Sequence, residues 1–159
     1  MITGRQLIAL AASVVICLGA AKLGSMLTIP SLGSWYAKLR KPRWTPPNWV
    51  FGPLWTALYL IMAFAAWLVW RQVGFSHAKL PLTLFVIQLA LNVAWPGIFF
   101  NLRLVGVAFL EAVVLWLFIL WTAVEFWPVS RTASWLMVPY LIWVAYASAL
   151  NVAIWRMDT

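Results

Sequence analysis

Three sets of aromatic and amide side chains recur at helical spacing in this sequence. Phe51, Trp55 and Tyr59 stand at i, i+4 and i+8; Gln88, Asn92 and Trp95 at i, i+4 and i+7; Tyr140, Trp143, Ala147 and Asn151 share a third stripe. Each set puts flat rings and hydrogen-bonding groups on one helix face. Such faces wall pockets for flat, apolar ligands with a few polar groups. Helix packing accounts for the same pattern, because amides and hydroxyls hydrogen-bond across membrane helices. The pattern alone leaves both readings open. Acid–base chemistry finds no such set. Glu111 and Glu125 are fourteen residues apart, about 21 Å along a helix, which is too far for a paired acid and base. The single histidine, His77, has no second His, Cys or carboxylate at ligand spacing, so no metal site is expected. There is no glycine-rich phosphate loop and no nucleophile elbow.

A second candidate region lies between two apolar runs. The stretch Trp35 to Trp55 reads WYAKLRKPRWTPPNWVFGPLW. Pro42, Pro46 and Pro47 fix φ and restrict the folding of this loop, and Pro47 with Asn48 suits a helix entry. The aromatics Trp35, Tyr36, Trp44 and Trp49 can cover the mouth of a bundle, with Lys38, Arg40, Lys41 and Arg43 at its rim. A planar ligand with carboxylates would meet rings on its faces and cations at its acids. An interfacial anchor, with basic residues on lipid phosphates, explains the loop equally well.

The elements that must position these residues are membrane helices. Of 159 residues, 65% are hydrophobic and 9% charged, far from the roughly 45–50% apolar and 25% charged of soluble domains. A core of this size cannot hide so much apolar surface, so the bilayer must be the solvent for much of the chain. Five apolar segments approach the ~20 residues that cross a bilayer. They are expected at about 6–29, stopped by Pro30; 48–70, capped by Arg71; 80–100; 104–127; and 133–155. Continuous runs argue for helices and against a barrel. The fold class is an all-α integral membrane bundle of five transmembrane helices, a single domain, with a long structured loop between the first and second. The N-terminal run is read as a retained span rather than a signal peptide, and Cys17 as a membrane-buried hydrophobe.

Charge and punctuation refine this picture. The net charge is +8, but the cations sit singly at span ends or in the long loop, which excludes a nucleic-acid surface. The side carrying Lys38, Arg40, Lys41, Arg43, Arg103 and Arg156 is the more basic, so it is placed in the cytoplasm, with the N-terminus outside and the C-terminus inside. Glu111 lies within the fourth span, where a charge is costly; it is expected to pair with Arg103 or to line a polar interior. Among 13 tryptophans, Trp49, Trp67, Trp70, Trp127, Trp135 and Trp155 fall near span ends and suit an interfacial belt. Trp55 and Trp143 do not. Pro96 with Gly97, and Pro139, are expected to kink their helices. Ala90 with Ala94, and Ala20 with Gly24, are small-residue steps suited to close helix approach.

The loop and helix residues together resemble a family signature. The pattern W-Y-x-x-L-x-K-P-x-W-x-P-P-x-x-x-F followed by W-T-x-L-Y occurs here as Trp35, Tyr36, Leu39, Lys41, Pro42, Trp44, Pro46, Pro47, Phe51, Trp55, Thr56, Leu58 and Tyr59. With QLALNVAWPGIFF from Gln88 and VPYLIWVAYASALN from Val138, it resembles the TspO/translocator protein family, also called the peripheral-type benzodiazepine receptor family. The likeness covers essentially the whole chain. It implies a five-helix bundle, often a homodimer, that binds porphyrins such as protoporphyrin IX, sterols, isoquinoline carboxamides and benzodiazepines, in a regulatory, stress-related or transport role. It requires no cofactor. By position it maps the pocket to Tyr36, Pro47, Trp55, Asn92, Trp95 and Trp143. It further implicates Tyr36, Trp55 and Trp143 in light-dependent porphyrin breakdown. The expected ligand set combines these with Lys41, Pro42, Arg43, Trp44, Phe51, Gln88, Tyr140 and Ala147. One departure concerns sterols: the family's C-terminal L/V, Tyr, K/R pattern lacks its tyrosine here, since Tyr146 is ten residues from Arg156. That favours a bacterial envelope membrane over a mitochondrial outer membrane.

Overall fold

The computed structural model describes residues 1–159, all helix and connecting turns with no strand. Helix α1 spans Gly4–Leu32. Its first turn is closed by a capping box: Thr3 Oγ1 accepts from Gln6 N at 3.2 Å, and Gln6 Oε1 accepts from Thr3 N at 3.1 Å. A short helix, α2 (Trp35–Lys38), opens the long loop. Then come α3 (Asn48–His77), α4 (Lys79–Pro96), α5 (Val105–Phe126), α6 (Arg131–Leu136) and α7 (Val138–Asp158). Five segments are long and apolar enough to cross a membrane, the last being α6 and α7 together. The protein is a multi-pass membrane bundle.

The punctuating residues act differently from their sequence expectation. Pro30 does not stop α1, which runs on to Leu32. A proline costs most in a helix interior, and here only the last turn follows it. Arg71 does not end α3 either. The helix continues to a break at Gly74 (φ 69°, ψ 177°), a backbone region essentially reserved for glycine, and resumes to His77. The expected loop between the second and third spans is therefore mostly helical. Pro96 closes α4, and the chain widens into a π turn over Gly97–Asn101. Leu102 N bonds back five residues to Gly97 O at 3.0 Å. A single π turn absorbs the donor that proline removes. Pro139 does not kink a long helix; it starts α7 after a break at Met137.

Helix α1 packs on α3 and α4, and α5 packs on α4 and α7. The larger core lies towards the end of the bundle away from the long loop, around Met62, Ala63, Leu89, Ile119 and Met137. Trp67 lies near a span end as expected, but it is buried against α1: its Nε1–H donates to Gln6 O, in the first turn of that helix, at 2.8 Å. A smaller core seats the loop. Tyr36 and Leu39 pack there with Phe99, Phe100, Leu150 and Ile154, so α2 is held against the π turn and α7. The small-residue steps part company. Gly24 sits against Pro96 and Gly97 against Leu27, which brings α1 close to α4. Ala90 and Ala94 are exposed and join no helix pair within the chain.

Candidate functional site

A cavity of about 420 Å³ opens in the loop-side half of the bundle, within the 300–1,000 Å³ range of small-molecule sites. The aromatic stripes expected from the sequence meet in it. Phe51 and Trp55 reach it from the first turns of α3, Asn92 and Trp95 from the end of α4, and Trp143 and Ala147 from α7. Tyr36 closes the loop side. The rings interlock edge to face: Trp143 lies 6.0 Å from Phe51 and 6.3 Å from Trp55, and Trp55 lies 6.3 Å from Tyr140. Trp95 stacks on Phe99 at 4.8 Å. This wall is preformed, because each ring is fixed by a neighbour.

Buried polar groups support the wall. Asn92 Nδ2 donates to the Tyr140 hydroxyl, which donates to Gln88 Oε1 at 2.8 Å; Gln88 Nε2 faces the Met62 sulfur at 3.8 Å. Thioether sulfur is a weak acceptor only, so it orients the Gln88 amide, and the chain then fixes Asn92 through the amide hydrogen it gives to Tyr140. Trp95 Nε1 donates to Asn151 Oδ1 at 3.1 Å, and Asn151 Nδ2 donates to Val105 O at 2.8 Å. Trp143 is the exception: its buried Nε1–H has no partner. An unpaired buried donor is rare and costs free energy. The Trp143 ring lines the cavity, while its Nε1 is enclosed by neighbouring protein atoms.

Several expected ligand residues stand elsewhere. Gln88 and Tyr140 are fully buried behind the wall, where they support Asn92 and, through the Tyr140 ring, Trp55. Lys41 is turned back on its own loop, donating to Tyr36 O at 2.6 Å and Leu39 O at 3.1 Å, with its ammonium 4.6 Å from the Tyr36 ring centroid. Burial lowers the Lys41 pKa and nearby Asp158 partly opposes this. Burial raises that of Tyr36. Pro42, Arg43, Trp44 and Pro47 also lie outside the lining. Trp44 packs on the Tyr146 ring at 5.4 Å, and its carbonyl accepts from the Tyr146 hydroxyl. The prolines and these clasps commit the loop to a cover, so its cations do not point inward. Glu111 does not pair with Arg103. Arg103 lies over the Trp35 ring, 5.6 Å from its centroid, and both Glu111 oxygens are buried without a hydrogen-bond partner.

Helix α1 contributes lining that the sequence reading missed, including Ala21, Gly24, Ser25 and Thr28. Their only signal was a run of small and hydroxyl residues in the latter half of an apolar span. Pro96, Phe99 and Phe100 were also missed, because the π turn that swings them inward leaves no periodic trace.

Comparison with known proteins agrees with this architecture. The family description "TspO/MBR family" matches residues 11–156. A translocator protein of Homo sapiens is 44% identical over 124 residues, covering 77% of this chain and 73% of that protein. A tryptophan-rich protein TspO of Chlorobaculum tepidum is 38% identical over 159 residues, covering 97% and 98%. A tryptophan-rich sensory protein of Cereibacter sphaeroides is 39% identical over 124 residues, covering 78% and 77%. With its five membrane helices, interlocked aromatic wall and near-complete match, the chain belongs to the TspO/MBR family.

Proposed function

We propose that this protein binds a tetrapyrrole, protoporphyrin IX or a close relative, in the cavity beneath the long loop. The observation that carries this reading is the preformed wall of interlocked rings, Phe51, Trp55, Trp95 and Trp143, around a cavity of about 420 Å³. A flat macrocycle offers π surface to Trp55, Trp95 and Trp143, which line the cavity. Charge is supplied outside the lining by exposed Arg43, and Lys41 acts on the ligand only through the loop it holds together. The sensory name of one relative supports a regulatory role for such binding. The more basic face, which carries the long loop, is the cytoplasmic one on this reading.

The test is a titration of the purified protein in lipid nanodiscs with protoporphyrin IX, read by quenching of tryptophan fluorescence. Saturable quenching at one site is expected, weakened at least tenfold in the combined Trp55→Phe, Trp143→Phe variant. Unchanged affinity in that variant would remove the proposed site. A second reading, light-dependent breakdown of the bound ring, is favoured by the unbroken series of oxidisable rings Trp55, Trp143 and Tyr146, each within 6.3 Å of the next. It requires more than one equivalent of porphyrin converted on illumination.

A further inference from the structure

Two boundaries of the cavity, the long loop and the seam between α1 and α3, are closed very differently. The long loop is clasped at every turn. Lys41 is tied to two backbone carbonyls, Trp44 is bonded to Tyr146 and packed edge to face on its ring, and Arg40 N donates to Asp158 at 3.4 Å. Passage there must break all of these together.

The opposite boundary is the seam between α1 and α3. These helices run antiparallel and are bonded at one end only, by Ser13 Oγ to Ala63 O at 2.8 Å and by Trp67 Nε1 to Gln6 O. The same register brings Gly24 level with Gly52, a glycine opposite a glycine. Beyond Ala21 the side-chain hydrogen bonds of α1 turn to the π turn instead: Ser31 Oγ donates to Phe100 O at 3.2 Å, and Asn101 Nδ2 donates to Leu27 O at 2.9 Å. The two helices are thus bonded to each other at one end only, and α1 is bonded to the π turn at the other. Ser25 and Ile29 on α1, and Asn48, Trp49, Gly52 and Thr56 on α3, line the cavity and are also exposed. A residue that does both stands at an opening. Asn48 and Trp49 stand at the start of α3 and Thr56 eight residues into it, about 12 Å below the helix end, so this opening runs from headgroup level down to the acyl chains.

We infer that the cavity fills from the lipid phase, through the gap between the latter half of α1 and the first turns of α3; this rests on the ligand-binding reading above. A ligand crossing there keeps its apolar rings in hydrocarbon. Its acidic groups stay near the headgroups, and the loop remains shut throughout. Narrowing the gap, without touching the loop, is then the way to slow exchange.

Gly52→Leu tests this. The glycine has helical φ, and an added Cβ meets nothing within 4 Å, so the new side chain enters the gap unstrained. In proteoliposomes with protoporphyrin IX dissolved in the membrane, stopped-flow quenching should show association and dissociation both slowed at least tenfold. A mere loss of contact would speed dissociation. Asp158→Ala, which frees Arg40, should leave both rates within threefold of wild type. Unchanged rates in Gly52→Leu with faster rates in Asp158→Ala would overturn the inference. A readout without porphyrin stands beside it: a diazirine-bearing phosphatidylcholine should label Trp55 or Trp143 in the wild type and lose that labelling in Gly52→Leu. Labelling without porphyrin binding retires the tetrapyrrole and keeps the lipid-facing mouth. Absence of labelling with unaltered exchange rates retires the mouth alone.

Discussion

Trp55 and Trp143 meet edge to face across the cavity, with ring centroids 6.3 Å apart and planes at 83°. The contact joins α3 to α7, which come from distant parts of the chain. It positions the Trp143 indole so that its N–H has no protein partner.

Trp143→Phe separates the ring from its donor. Phenylalanine keeps an aromatic surface against Trp55 and removes the N–H. The smaller ring gives up part of the cavity wall, about 1 kcal/mol of apolar contact, so protoporphyrin affinity should fall roughly fivefold in a quenching titration. Thermal stability in detergent should hold or rise slightly, because an unsatisfied buried donor has gone. A large loss of stability with unchanged affinity would show that the indole serves packing alone.

The contrast between the two tryptophans and the loop cations explains what was legible in the sequence. Trp55, Asn92 and Trp143 lie on long regular helices, where a period of 3.6 residues converts spacing into a shared face. Their convergence on one cavity follows from that face being the inner one. Lys41 offered no such constraint. Its direction depends on two carbonyls, of Tyr36 and Leu39, exposed by the local fold of a proline-rich loop. Composition placed it at a rim; only the fold turned it away from the ligand space. Glu111 was misread for a related reason. Its eight-residue separation from Arg103 suggested a partner, but Arg103 adopts a positive φ of 58° and swings over Trp35 instead.

Tyr140→Phe tests the amide chain behind the wall. The hydroxyl both accepts from Asn92 and donates to Gln88, so its removal leaves two buried groups without partners. Interhelical hydrogen bonds in membranes are worth roughly 0.6–2 kcal/mol each, and a loss of about 2 kcal/mol is expected in reversible denaturant unfolding. Affinity should fall as well, since Asn92 is then free to rotate. Replacing Gln88, Asn92 and Tyr140 together by Leu, Leu and Phe should recover part of the stability and none of the affinity.

Alkaline titration should report the seating of α2. Burial raises the Tyr36 pKa above its ordinary 10.0, so the folded protein keeps a proton that the unfolded chain releases. The stability this contributes is fully present below pH 10 and is lost as pH rises through the folded-state value. Lys41 acts in the opposite sense: its lowered value makes stability rise with pH over the interval ending near 10.5. Tyr36→Phe isolates the first effect. Above pH 10 its stability should fall less steeply than that of the wild type, measured as the pH dependence of the unfolding midpoint. Equal slopes would mean that the Tyr36 hydroxyl is as accessible in the folded protein as in the unfolded chain.

Glu111→Leu should stabilise the protein. The carboxyl is carried in the second turn of α5, with both oxygens buried and unpartnered. Desolvating such a group without compensation costs on the order of 1–3 kcal/mol, more if it is charged. Leucine has comparable length and belongs in this environment. The melting temperature in detergent should rise by several degrees in Glu111→Leu, with a smaller change in Glu111→Gln, whose amide carries the same burden of unmade bonds. Protoporphyrin affinity should stay within twofold in both, because Glu111 is absent from the cavity wall. A stable Glu111→Leu variant that no longer binds would place the carboxyl in the ligand's path and require an arrangement of α5 different from the one described.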